Sequence, residues 1–163
     1  MQLVNPFKDK IFRIAKRLLV SGEEAEDAIQ EVLVKLWNKN ESLNGYKSIE
    51  AFAMTMTKNY CLDQLKSKRA SNIIIVQNNY TDREAGLQER LEDKDTWNWV
   101  EKIINNLPEQ QKLIVQMRDI EEMEFEEIAK VLEMNEQAIR TALSRARKTI
   151  RERMIKVHHY GIG

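Results

Sequence analysis

Gln137, Arg140, Thr141, Ser144, Arg145 and Lys148 fall close together near the end of the sequence. They combine an amide, two hydroxyls and three cations. Amides and guanidiniums read base edges in a major groove, while hydroxyls, arginines and lysines hold phosphates. At about 100° per residue, these side chains share one side of a helix, and Ile139, Leu143, Ala146 and Ile150 share the other. "EQAIRTALSRARKTIRERM" therefore reads as an amphipathic helix with a nucleic-acid-facing outer side. From Arg140 to Lys156 there are seven bases and one acid, Glu152, whereas Asp119 to Glu127 holds six acids and no base. The net charge of zero hides a basic end, and the local patch is what nucleic acid meets.

A basic amphipathic helix alone is as often a solvated surface. What distinguishes this one is the segment before it. "FEEIAKVLEM" predicts a shorter helix with Ile128, Ala129 and Leu132 inside, separated from the basic helix by a break of about three or four residues, the helix-turn-helix pattern. Ala129 is small enough to let the two helices approach, and Asn135 stands where a side-chain oxygen caps the second. The corner would present the charged helix outward, into a groove.

Other chemistries find little support. The two histidines, His158 and His159, sit at the tail, and Cys61 is the single cysteine. No metal-ligand spacing or phosphate-binding glycine loop is present, so neither catalysis nor a metal or cofactor is expected. One cysteine permits no internal disulfide and fits a reducing cytoplasm. Cys61 reads as a small buried hydrophobe rather than a redox group. No apolar stretch reaches membrane-spanning length, and "MQLVNPFKDKIFRIAKRLL" has no signal-peptide core, so no membrane insertion is expected.

The elements that position these residues fall into three zones. Glycine (5) and proline (2) are too scarce for an all-β chain, and helical spacing dominates. The zone from residue 1 to 70 predicts three helices. The first carries Phe7, Ile11, Ile14, Ala15, Leu18 and Leu19 on one side. The second begins at a Ser21 cap with Glu23 and Glu24 behind it, and turns Ile29, Val32, Leu33, Leu36 and Trp37 inward. The third is "IEAFAMTMTKNYCLDQLKSKR", after a loop over residues 38–48. Residues 71–95 read as a linker: a short apolar run, "NIIIVQ", then polar sequence with six acids against three bases. Residues 96–160 predict four helices, with Trp97, Val100, Ile103, Ile104 and Leu107 as the first stripe and Pro108 opening the next helix. The expected fold is all-α, with two small helical domains and a connector.

Three ordered motifs carry a resemblance over almost the entire chain. "AEDAIQEVLVKLW", "FAMTMTKNYCLDQLKSKR" and "LPEQQKLIVQMRDIEEMEFEEIAKVLEMNEQAIRTALSRARKTIRE" are similar to the signatures of extracytoplasmic-function sigma factors, the small two-domain branch of the sigma-70 family. The resemblance implies domains called sigma-2 (1–70) and sigma-4 (96–160), joined by a flexible linker. It implies core RNA polymerase and promoter DNA as partners, and in many relatives an anti-sigma factor. It places Asp27, Gln30 and Glu31 on the polymerase clamp, where the residues alone read as a solvated face. It assigns Tyr46, Phe52, Lys58 and Asn59 to melting and reading of the −10 element, and Lys66, Lys68 and Arg69 to nearby phosphates. Phe52 fits a core position equally well. Gln137, Arg140, Thr141, Ser144, Arg145 and Lys148 then read the −35 element. Three positions depart from the family pattern: Phe52 replaces a larger tryptophan, Glu133 a glycine at the corner, and Ala142 an arginine. The resemblance starts near the first helix, so no N-terminal extension is expected.

The implied function is promoter-specific initiation by recruitment to polymerase. A conventional dimeric helix-turn-helix regulator remains the alternative, distinguished by binding palindromic duplex without polymerase. A helical protein-binding module would hold polymerase without starting transcription.

Overall fold

The computed structural model describes residues 5–39, 49–71 and 96–162. Among the described residues the chain is helical and has no strand. The predicted loop with Tyr46 lies outside the described residues, as does the linker beyond Ser71.

In α1 (Asn5–Leu19) the expected residues, Phe7, Ile11, Ile14, Ala15, Leu18 and Leu19, are all buried. The helix stops at Val20, whose φ of 58° is left-handed and whose N–H reaches back to the Lys16 carbonyl at 2.7 Å. A β-branched residue adopts that conformation only under strain. Next, α2 (Gly22–Asn38) opens at Ser21, whose hydroxyl accepts from the Glu24 N–H at 3.2 Å. Glu23 and Glu24 complement its N-terminal dipole. Its buried stripe is Ala25, Ala28, Ile29, Val32 and Leu36. Trp37, expected inside, is 58% exposed. The two alanines shift the centre of the stripe toward Ile29 and Leu36, and Trp37 lies one residue too far around the helix. The first domain is completed by α3 (Ile49–Ser71), which packs on α1 and α2 and ends in Lys68 and Arg69.

The second domain holds four α-helices, as expected. They are α4 (Thr96–Asn105), α5 (Glu109–Val115), α6 (Phe125–Leu132) and α7 (Glu136–Ile162). Pro108 stands just ahead of α5 as its cap residue. Beyond Val115 the helix widens into a π turn, Gln116–Ile120, closed by the Glu121 N–H to the Gln116 carbonyl at 2.9 Å. No residue pattern foretells this turn, because one i→i+5 loop leaves no periodic trace.

The corner between α6 and α7 is a tight one. Glu133 has φ 54° and ψ 45°, and the Met134 N–H bonds the Ala129 carbonyl at 3.1 Å. Glutamate takes a left-handed conformation here that glycine would adopt at less cost, so the corner keeps that shape despite the departure at Glu133. Glu133→Gly is therefore expected to stabilise the chain by about 1 kcal/mol in urea unfolding; no gain would show that the corner carries no such strain. Asn135 then caps α7, its Oδ1 accepting from the Ala138 N–H at 2.7 Å.

Among the described residues, all the buried apolar ones but Ile103 form one continuous cluster across both domains, and α1 and α3 contact α5, α6 and the π turn. The two domains thus lie against each other.

Candidate nucleic-acid and polymerase interface

The six candidate readers on α7 are all exposed, opposite buried Ile139, Leu143 and Ala146. The corner aims that face away from the core. Arg140 is held in place before any ligand arrives: its guanidinium lies 4.7 Å from the centre of the Phe125 ring and 3.8 Å from Glu136. Arg118 lies over the same ring at 4.3 Å and donates to the Met123 carbonyl at 2.8 Å. An aromatic ring flanked by two guanidiniums limits the freedom that Arg140 would lose on binding. Arg147, also exposed, is engaged elsewhere. Its Nε meets Asp119 at 3.1 Å, and that hydrogen bond raises its pKa above the ordinary arginine value. It ties α7 to the π turn.

On α2, Asp27, Gln30 and Glu31 are exposed together, opposite the buried stripe. The Tyr60 hydroxyl on α3 is shifted up, first by burial and then by the charges of Glu31 and Asp27, so both acids lie near it. Exposed Val34 and Trp37 add apolar surface to the same helix.

The candidate −10 residues divide. Asn59, Lys66, Lys68 and Arg69 are exposed, and Phe52 is half-buried with the Lys39 ammonium 5.7 Å from its ring centre. Tyr46 lies outside the described residues. Lys58 is only 8% exposed: its Nζ donates to the Val131 carbonyl of α6 at 2.9 Å. Lys68 pairs with Glu24, and Arg69 with Glu109 of the second domain.

Sequence reasoning missed Arg13 and Arg17. Arg17 is 7% exposed. It donates to both Glu101 oxygens, to Asn105 and to the Gln116 amide oxygen, each at 2.8 Å. Gln116 in turn donates to Glu121 at 2.8 Å, and Glu121 accepts two bonds from Arg13 at 2.6 and 2.7 Å. That bonding raises the Arg13 pKa above its ordinary value. The π turn makes the link possible, since it sets Gln116 beside Glu121. The one available signal was Arg17 standing within an apolar face between Ile14 and Leu18.

Cys61 is fully buried, as expected, and burial pushes its thiol up to about 12. It stays protonated and unreactive at neutral pH. A thiol reagent is expected to label it slowly in the folded chain at pH 8 and rapidly in urea; fast labelling of the folded chain would contradict this burial. The unfolded thiol ionises at its ordinary value, so the stability gained by keeping it protonated is lost as pH rises toward about 12.

Among the described residues no helix is long and apolar enough to cross a membrane, and no group of three or more His, Cys, Asp or Glu is placed to hold a metal ion.

Two helical domains in order, the second built on a helix-turn-helix, define a class of nucleic-acid-binding protein. Residues 3–71 match the family model "Sigma-70 region 2" and residues 97–150 match "Sigma-70, region 4". The chain belongs to the sigma-70 family. It is 27% identical to the ECF RNA polymerase sigma-E factor of Haemophilus influenzae, across 93% of this chain and 85% of that one. It is 22% identical to the ECF RNA polymerase sigma factor SigW of Bacillus subtilis, across 93% and 87%. In fold it is similar to the sigma factor RpoE solved in complex with the anti-sigma factor NepR from Bartonella quintana. There the TM-score is 0.72 at 18% identity, covering 96% of each chain. CnrH, in complex with the cytosolic domain of CnrY, gives 0.69 at 16% identity, covering 95% of this chain and 86% of that one. These two likenesses show the fold alone.

Proposed function

We infer that the chain is an extracytoplasmic-function-type sigma factor, joining core RNA polymerase and directing initiation at particular promoters. The observation that carries this reading is the presence of both sigma-70 regions in order, with an exposed amide, hydroxyl and cation face on the helix-turn-helix of the second. It acts by binding rather than by catalysis, in the cytoplasm where polymerase works. Asp27, Gln30 and Glu31 meet the polymerase. Phe52, Asn59 and Tyr46 take unpaired −10 bases, with Lys58, Lys66, Lys68 and Arg69 on nearby phosphates. Gln137, Arg140, Thr141, Ser144, Arg145 and Lys148 read the −35 duplex. An anti-sigma factor is a further partner, by analogy with the relatives solved with theirs.

The experiment is a binding titration with labelled chain and core polymerase. The wild-type chain is expected to bind, and the double variant Asp27→Lys/Glu31→Lys to bind much more weakly. A chain that ignores polymerase would end this reading.

A further inference from the structure

In the polar contacts described between the domains, the donor is always a cation of the first domain and the acceptor always belongs to the second. Arg13 meets Glu121, and Arg17 meets Glu101, Asn105 and Gln116. Lys58 meets the Val131 carbonyl and Arg69 meets Glu109. All four cations therefore lie on the side of the first domain that faces the second, Arg17 and Lys58 buried there and Arg13 and Arg69 at its exposed edge. Two of them, Lys58 and Arg69, are already proposed to hold −10 DNA. The acceptors facing the two arginines are arranged as a phosphate would be. Arg13 grips both oxygens of Glu121, and Arg17 grips both oxygens of Glu101. The guanidinium fork binds carboxylate and phosphate in the same bidentate way.

We propose that Arg13 and Arg17 form a phosphate-binding site of the first domain that holds the promoter backbone once the domains part. Glu101 and Glu121 stand in for that backbone in the closed chain. The site extends the −10 surface across α1, and the two occupants compete for it. The inference rests on the sigma reading above.

The test measures promoter binding by the holoenzyme across a range of salt concentrations, for the wild-type chain, Arg13→Gln and Arg17→Gln. Each substitution is expected to weaken binding and to make its salt dependence shallower, by roughly 0.7–0.9 in the log–log slope for each phosphate no longer neutralised. A purely structural role would lower stability without moving the slope. Arg13, whose side chain is 47% exposed, carries the test if Arg17→Gln disturbs folding. In the free chain, Glu101→Gln/Glu121→Gln is expected to tighten binding to an arbitrary duplex by roughly tenfold, because the competing acids are gone. Unchanged slopes for the arginine variants, or no gain for the glutamate double variant, would overturn the proposal. A wild-type holoenzyme without promoter preference would instead overturn the sigma reading beneath it.

Discussion

Arg17→Ala is expected to lower the stability of the chain by about 3 kcal/mol and to split its unfolding into two steps. Arg17 is buried and makes four hydrogen bonds, two of them to one carboxylate. Charge-assisted bonds of this kind contribute about 1.5–3 kcal/mol each, and removing one partner leaves the others without compensation. Glu101 keeps about a third of its side chain exposed, so water relieves part of that loss. The damage falls on the contact between domains rather than within either. Each domain keeps its own helix packing, which is why separate transitions are expected. Urea unfolding followed by circular dichroism tests this. A single transition at the wild-type midpoint would show that the network contributes little to holding the domains together.

Arg140→Ala is expected to weaken use of the upstream promoter element by about 1–3 kcal/mol and to relax preference mainly at one base pair. The side chain is exposed on the outer face of α7 and held over Phe125. Its loss would remove the proposed base contact and leave the corner intact, because the Glu133 turn and the Asn135 cap do not depend on it. Lys148→Ala, by contrast, should weaken all promoters similarly and make the salt dependence shallower. Initiation rates on single-base variants of the upstream element separate the two patterns. Equal losses on every variant would show that Arg140 holds phosphate rather than reading a base.

Local features were legible in the sequence. The α1 stripe and the Ser21 and Asn135 caps each depend on residues within a turn or two. The helical character of both domains and the exposed amide, hydroxyl and cation face of α7 followed from helical period and charge. Long-range features were not legible. Arg17 and Gln116 are 99 positions apart, and nothing near either announces the other. Trp37 falls outside the α2 stripe because Ala25 and Ala28, small residues that bury well, belong to it. Lys58 was assigned to the −10 strand, and its bond to the Val131 carbonyl of α6, 73 positions away, has no local signal. The π turn, which joins Gln116 to Glu121, has no periodic signature.

Transcription from a library of random promoters, with core polymerase and the purified chain, decides whether the protein is a sigma factor. Initiation is expected at sites sharing two short elements at fixed spacing, and is expected to vanish when either component is left out. No polymerase-dependent initiation, with the chain alone binding a palindromic duplex, would contradict the sigma reading and assign the basic helix to a dimeric regulator.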